Sequence, residues 1–227
     1  MIPAQAGFNE FMMPFNLLFC RGHILLLAAL FLGACASQPV PPSTTSAPTN
    51  ASINQQHLTT LATIKSFSIK GRLGVVTQKQ GFSGSIEWQH QTNKDYQTSL
   101  DNIDVYSPVG GKLANISKNA NGVTMTDQKG NSVKANDTES LTETTLGFRL
   151  PLSGLSDWAV GRPTASKIEA SSWNAQGHLT HLKQDGWDIS YENYTEINGI
   201  NLPNKIVLKS DKVNLKLLVE KWIGVGS

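Results

Sequence analysis

Apolar residues recur at every second position from residue 67 onward, and this alternation restricts the fold more than any other feature of the chain. It is clearest in the segments 67–77, FSIKGRLGVVT, and 81–91, GFSGSIEWQHQ, which a short polar turn separates. Successive side chains of a β-strand point to opposite faces, so a period of two predicts a strand with one buried face. The two segments therefore predict a β-hairpin.

The same alternation continues in short segments divided by Gly, Asn and Lys. It predicts further strands at 96–105, 112–117, 122–127, 131–135, 166–170, 178–184, 187–193, 204–209 and 213–222. Consecutive short strands with turn residues between them are typical of an antiparallel meander.

Helical patterns occur at the start and in the middle of this series. Ser52–Gln55 resembles a capping box, and Leu58, Leu61 and Ile64 follow at helical spacing, which predicts a helix over 53–66. The alternation of strands stops at Asp137, and two short helices are expected on either side of residues 149–151.

These elements predict a mainly β fold with helices (α+β), in which an unclosed antiparallel β-barrel of about ten or eleven strands has a helical lid. A sheet of this size can enclose more volume than its own side chains fill, so we expect an apolar cavity. The candidate lining residues lie on apolar stripes and are Ile86, Trp88, Leu100, Trp158, Leu215 and Leu217. The alternative is a filled core in which the tryptophans only pack.

The N-terminal region contains one short apolar run, Ile24–Leu32, which follows Arg21 and precedes Gly33-Ala34-Cys35. A basic flank, a short apolar core and small residues are the order of a signal peptide. Nine residues fall short of the ~20 that a transmembrane helix needs. Leu32–Cys35 resembles the bacterial lipobox, which implies cleavage before Cys35 and covalent diacylglycerol and N-acyl chains on it. The alternative is an ordinary secretory signal in which Cys35 is incidental.

The domain organisation follows from that cleavage site. We expect a lipoprotein signal peptide at 1–34, the lipidated cysteine with a Pro/Ser/Thr-rich tether at 35–52, and a folded domain at 53–227. Cleavage leaves 227 − 34 = 193 residues, enough for one domain. The net charge of +2 and the lack of any Lys/Arg run exclude a nucleic-acid partner. Ala36, where an aspartate would retain a lipoprotein in the inner membrane, indicates the outer membrane.

The sequence contains no motif of a known catalytic or metal centre. It has no G-x-S-x-G elbow, no H-E-x-x-H pair and no Gly-rich phosphate loop. His178 and His181 are three apart on a predicted strand, which places them on opposite faces and excludes a shared metal. We therefore expect no enzyme activity, no catalytic residue, no metal and no cofactor beyond the acyl chains on Cys35.

Several segments, in order over residues 67 to 222, resemble the LolB family of outer-membrane lipoprotein receptors. They are Gly71-Arg72-Leu73, the G-F-x-G-x-I-x-W run at 81–88, Ser107–Gly110, Leu150-Pro151-Leu152, Leu155, Trp158, Gly161, Pro163, Gln184, Gly186-Trp187, Tyr191, Tyr194, Leu202-Pro203 and Trp222.

This resemblance implies an unclosed antiparallel barrel with a helical lid, and a role in transport. Such a protein would be lipid-anchored in the outer membrane, facing the periplasm, and would accept lipoproteins from the soluble periplasmic carrier LolA and insert them into that membrane. Its partners would be the loaded LolA carrier, the acyl chains of cargo and outer-membrane lipid, and we expect a monomer. Rival classes are a structural lipoprotein without a ligand and a lipid-binding scaffold with hydrolytic activity.

The resemblance also assigns a membrane-delivery loop to Pro108, Val109 and Gly110. The family loop projects an exposed aliphatic residue, commonly leucine, and Val109 occupies that position with a smaller side chain. The alternative is an ordinary turn in which valine is tolerated.

Overall fold

A computed structural model of the chain describes residues 50–92, 98–146 and 149–227. Over these residues, eleven strands form one antiparallel sheet with the order β6-β5-β4-β3-β2-β1-β11-β10-β9-β8-β7. The strands are β1 (Ser66–Thr77), β2 (Gly81–Thr92), β3 (Ser99–Tyr106), β4 (Lys112–Asn119), β5 (Gly122–Asp127), β6 (Ser132–Ala135), β7 (Ile168–Trp173), β8 (Leu179–Gln184), β9 (Trp187–Ile197), β10 (Ile200–Lys209) and β11 (Val213–Gly226).

The two end strands, β6 and β7, each pair with one neighbour among the described residues, so the sheet is unclosed. The first strand, β1, and the last strand, β11, are neighbours in the middle of the sheet, because β1 pairs with both β2 and β11. The predicted fold class, an unclosed antiparallel sheet of about ten or eleven strands with helices, is confirmed.

The inner face of the sheet carries the core. Burial alternates along β11, where Val213, Leu215, Leu217 and Val219 are buried, as the period of two predicted. The close pairing of β1 with β11 also requires glycine at position 71, because a Cβ on Gly71 would overlap the backbone of Leu218. Register shifts between β1 and β11 at the same level indicate bulges, which bend the sheet.

Three helices accompany the sheet: α1 (Asn50–Ala62), α2 (Thr138–Leu146) and α3 (Leu152–Ala159). Helix α2 packs against β5 and β6, and α3 buries Leu152, Leu155 and Trp158 in the core. None of the helices among the described residues is long and apolar enough to cross a membrane.

Helix α1 begins and ends earlier than the predicted range of 53–66. Its end is set by the sheet, because the backbone N–H of Lys65 donates to the carbonyl oxygen of Gly226 and draws the chain into β1. Strands β9 and β10 are longer than predicted and meet at Asn198-Gly199, where φ is 52° and 79°. Asn-Gly is the preferred pair for a tight hairpin turn with positive φ, so the sequence did contain this signal.

Candidate functional site

An apolar groove lies on the inner face of the sheet, at the end where β1 turns into β2. Its volume is about 360 Å³, within the range of ligand sites, about 300–1,000 Å³. Among the described residues on its wall, only Thr77 and Gln80 have side chains with O–H or N–H groups. The apolar groove is lined otherwise by Leu73, Val75, Gly81, Phe82, Val105, Leu113, Ala114, Ile116, Met125 and Leu150.

One wall of the apolar groove comes from outside the sheet. Leu150 lies between α2 and α3 and is buried. Its position is fixed by a hydrogen bond, because its backbone N–H donates to Thr142 Oγ1 at 2.8 Å. The groove is therefore closed on one side by Leu150.

The turn between β3 and β4 presents an exposed valine beside this groove. Val109 is 93% exposed, and the groove-lining residues Val105 and Leu113 lie four positions to either side of it. The turn is closed by two backbone hydrogen bonds, from Gly110 N to the Ser107 carbonyl oxygen and from Ser107 N to the Gly111 carbonyl oxygen. Gly110 has φ 91°, a conformation that favours glycine.

Five of the six predicted cavity residues lie in the core but not on the wall of the apolar groove. Trp88 and Trp158 are almost fully buried, and their indole N–H groups donate to Asp101 and Gln184. Such bonds fix large side chains in place, as in a packed core. Ile86, Leu215 and Leu217 are also buried. Contact of these five residues with a ligand stays a prediction.

The prediction that Leu100 faces the interior is wrong. Leu100 is 46% exposed, whereas Asp101 and Ile103 are buried, so the inner face of β3 carries the odd-numbered residues. Leu100 instead borders an open cleft of about 850 Å³ at the other end of β1 and β2. This cleft is larger than the apolar groove, but polar side chains such as Gln89 and Gln91 line it, so it does not suit an acyl chain.

A buried carboxylate lies near the floor of that cleft. Asp101 Oδ1 is 2.7 Å from His90 Nδ1 and accepts a hydrogen bond from Trp88 Nε1 at 2.9 Å. Ser99 Oγ donates to Asp101 Oδ2 at 3.1 Å. Burial acts to raise the pKa of Asp101, but the hydrogen bond and charge of His90 and the Trp88 bond outweigh it and lower that pKa. The pair spans two strands, so no local motif indicates it.

Two further histidines meet where α1 packs on the sheet. The rings of His57 on α1 and His178 before β8 are 4.8 Å apart, and His178 stacks on Tyr194. His57 Nε2 is buried without a hydrogen-bond partner. Burial, and then the charge of His178, lower the pKa of His57 to about 4.

The predicted opposite placement of His178 and His181 agrees with their contacts. His181 lies on the outer side beside Asp188, at 3.1 Å, whereas His178 meets α1. In the part of the chain that the structure describes, no three His, Cys, Asp or Glu residues are arranged to hold a metal ion. Cys35 lies outside the described residues.

An unclosed antiparallel sheet whose apolar groove is closed on one side by Leu150, together with an exposed aliphatic turn, is typical of the class of proteins that bind apolar ligands. The comparisons with known proteins are more specific. A family model described as "Outer membrane lipoprotein LolB" matches residues 65–222. The chain therefore belongs to the LolB family, whose members are outer-membrane lipoproteins, and it has a role in lipoprotein localisation.

Individual relatives cover nearly the whole chain. An outer-membrane lipoprotein LolB from Actinobacillus pleuropneumoniae serotype 3 is 30% identical over 204 residues, which is 87% of this chain and 95% of that protein. One from Thiobacillus denitrificans is 29% identical over 203 residues, covering 89% and 97%. A LolA superfamily protein from Nitrosomonas europaea has 9% identity and a TM-score of 0.44, covering 78% of this chain and 93% of that structure.

Proposed function

We propose that this protein accepts lipoproteins from the soluble carrier LolA by taking their acyl chains into the apolar groove, and inserts them into the outer membrane. The observation that carries the proposal is the groove itself, with its apolar wall and the exposed Val109 on the turn beside it. No catalytic step is required, and the only cofactor-like groups are the acyl chains on Cys35.

The physical need for such a receptor follows from the cost of exposing acyl chains to water. At ~0.8 kcal/mol per methylene, three long chains sum to several tens of kcal/mol, so they cannot cross the periplasm bare. Without an energy source at the outer membrane, transfer must run downhill, from a carrier that holds the chains weakly to a receptor that holds them better. The bilayer is then the final acceptor.

The anchor and the delivery turn have separate tasks in this proposal. Lipidation of Cys35 keeps the protein at the membrane, while the tether at 35–52 gives the folded domain reach. The turn at Pro108, Val109 and Gly110 brings an apolar side chain to the bilayer surface close to the apolar groove. We expect the protein to act as a monomer.

Transfer of cargo between purified proteins tests the proposal. A LolA–lipoprotein complex is incubated with the mature chain carrying Cys35→Ala, which stays in solution, and cargo is followed from one protein to the other. Cargo should move to this protein without nucleotide or metal. If it stays on the carrier while the receptor is folded, the proposal is wrong.

Two further measurements separate the rival functions. A hydrophobic fluorescent probe that binds the protein and is displaced by a triacylated peptide argues against a structural lipoprotein with a filled core. Lipid esters incubated with the protein should remain intact, whereas their turnover would favour a hydrolytic scaffold.

A further inference from the structure

The outer face of β1 carries a second exposed valine at the same end of the sheet as the Val109 turn. Val76 is 57% exposed and Val109 is 93% exposed, the two largest fractions among the large apolar residues that the structure describes. Val75 is buried on the inner face, so the side chain of Val76 points to the outer face. Neither valine therefore contributes much to the core.

The Val109 turn borders this outer face. Pro108 and Gly110 line a hollow of about 300 Å³ whose other walls include the exposed side of β1, β2 and β11. Tyr106, where the turn begins, pairs with Ser85, which in turn pairs with Arg72, four residues before Val76. At about 3.3 Å per residue and ~4.8 Å between strands, Val76 lies ~13 Å along and ~10 Å across from the start of the turn. The two valines are close enough to meet one surface together.

Only small residues lie on the outer face of β1 and β2 between Val76 and the row of Arg72 and Ser85. Gly74 pairs with Ser83, and Val76 itself pairs with Gly81. No atom lies within 4 Å of the position that a Cβ on Gly74 would take, so the space above this row is open. Val76 therefore projects above its neighbours on these two strands.

Positive charge is in excess around the two valines. Lys79, at the tip of the β1–β2 hairpin, and Lys216, which pairs with Gly74, are exposed and have no ion pair among the described residues. On the adjacent turn, the formal charges of Asp211 and Lys212 cancel. The other charges beside the Val109 turn are neutralised in the ion pairs Lys70–Glu87, Arg72–Glu220 and Lys112–Asp104.

Exposed aliphatic side chains next to unpaired lysines fit the surface of an anionic phospholipid bilayer. Aliphatic groups enter the boundary between headgroups and acyl chains, while lysines are attracted to the phosphate groups. Members of this family are outer-membrane lipoproteins, so a bilayer is the surface next to the folded domain.

We propose that the outer face of the β1–β2 hairpin binds the membrane: Val76 inserts into the bilayer together with Val109, while Lys79 and Lys216 bind phosphate groups of anionic phospholipids. This inference rests on the proposed function, in which the Val109 turn meets the bilayer, and adds the lipid charge and three residues that bind it. The apolar groove, which is lined by Thr77 and Gly81 of the same hairpin, then lies beside the membrane during delivery.

Flotation with vesicles tests this membrane-binding face without cargo. The mature Cys35→Ala chain should bind vesicles of phosphatidylethanolamine with a quarter of phosphatidylglycerol, and binding should weaken at high salt. Val76→Glu should weaken binding at least about tenfold, and so should the double variant Lys79→Gln/Lys216→Gln.

Two controls match these changes in charge. Ile223→Glu places the same charge at an exposed position of β11 at the opposite end of the sheet, and Lys167→Gln/Lys183→Gln removes the same charge near β7 and β8. Both controls should bind within about twofold of wild type. If each test variant binds no more weakly than its control, or if wild type does not bind these vesicles, the proposal is wrong.

A fluorescent label measures directly which residue enters the bilayer. The sequence has two cysteines, Cys20 and Cys35, so the mature Cys35→Ala chain has none and a single new cysteine can be labelled. An environment-sensitive dye on Val76→Cys should shift its emission to shorter wavelength on vesicles, whereas the same dye on Ile223→Cys should not. Equal shifts at both positions would place the membrane contact elsewhere and overturn the proposal.

Transfer of cargo separates failure of this inference from failure of the proposed function. Val76→Glu and the double lysine variant should accept cargo from LolA like wild type but deliver it to vesicles more slowly. If wild type accepts no cargo, the proposed function is wrong, and the vesicle measurements still decide the membrane-binding face. If the variants lose acceptance but keep vesicle binding, this face binds the carrier and its assignment to the membrane is wrong.

Discussion

Asp101 and His90 form a buried pair on neighbouring strands, with the carboxylate oxygen and the ring nitrogen 2.7 Å apart. Both side chains are less than a tenth exposed, and Asp101 also accepts from Trp88. The Asp101 carboxylate thus connects His90, a polar residue beside the open cleft, with Trp88, one of the largest side chains of the core.

The first prediction concerns the stability that this pair provides. Asp101→Ala leaves His90 and the Trp88 indole without their acceptor, and we expect a loss of about 3 kcal/mol in the free energy of unfolding at pH 7. Asp211→Ala, on an exposed turn, is the control and should be nearly neutral. Urea unfolding measures both. A loss equal to that of the control would contradict the prediction.

The same pair gives a pH dependence with a defined sign. Because the pKa of Asp101 is below its ordinary value of 3.8 in the folded protein, the folded state binds this proton less readily than the unfolded state. The stabilisation is complete above that ordinary value and is lost as pH falls below it. The stability difference between wild type and Asp101→Ala should therefore narrow below pH ~4.

A second prediction concerns docking of α1 through His57. Its pKa is lowered from 6.5 to about 4 in the folded state, so the undocked helix binds a proton that the docked helix does not. The facing groups are His178, whose pKa is also lowered by burial, and Tyr194, and α1 carries no Asp, Glu, Lys or Arg. The equilibrium constant for docking of α1 should therefore decrease as the pH falls from 6.5 to about 4, by up to about tenfold per pH unit.

Hydrogen exchange of amides 55–62, corrected for intrinsic rates, measures this docking at pH 7 and pH 4.5. Protection should fall at the lower pH in wild type and persist in His57→Phe, which keeps a ring but cannot titrate. His181→Phe, beside Asp188 on the outer side, should behave as wild type. Equal loss of protection in wild type and His57→Phe would show that His57 is not the titrating group.

A third prediction separates acceptance from delivery at Val109. This side chain contributes little to the core because it is 93% exposed, so Val109→Glu should leave folding and transfer from the carrier unchanged. A charge at the turn opposes insertion into the bilayer and should slow release of cargo to liposomes. Val109→Leu should deliver at least as well as wild type, since one more methylene adds about 0.8 kcal/mol on burial. Equal delivery by all three forms would return Val109 to an ordinary turn residue.

A fourth prediction tests ligand binding in the apolar groove by substituting two neighbouring residues of β2. Phe82→Glu places a charge on the groove wall and should weaken probe and acyl-peptide binding at least about tenfold, because an unpaired charge is costly in an apolar site. Ser83→Glu, on the exposed face of the same strand, should bind as wild type. Leu217→Glu, in the packed core, should instead destabilise the fold by at least about 3 kcal/mol. Probe titrations beside thermal melts distinguish the three outcomes.

A fifth prediction concerns two glycines of β1. Gly71→Ala places a methyl group against the Leu218 carbonyl, and we expect a loss of about 2–3 kcal/mol from the strand movement that follows. Gly74 has no atom near its missing side chain, so Gly74→Ala should change stability by less than about 0.5 kcal/mol. Chemical unfolding of the two variants measures both losses. If Gly71→Ala lost as little stability as Gly74→Ala, the pairing of β1 with β11 would adapt to the methyl group without cost, and the prediction would be wrong.

The sequence by itself determined the strands, most of their bounds and the unclosed antiparallel sheet, because alternation and turn residues are local properties of each segment. It also located the Val109 turn through resemblance to the LolB family. Tertiary structure decided which apolar residues line a groove. Predicted residues such as Leu217 lie in the packed core, whereas the groove extends across one half of the sheet, from β1 to β5, and is closed by Leu150, which belongs to no strand.

Leu100 illustrates the physical reason for this division. Its apolar side chain suggested an inward position, but Ile103 and Val105 set the register of β3 and turn Asp101, not Leu100, to the inside. A buried carboxylate is stable there only because Trp88, His90 and Ser99 supply hydrogen bonds from two strands. Those partners come together only when the sheet forms, and no period in the sequence encodes them.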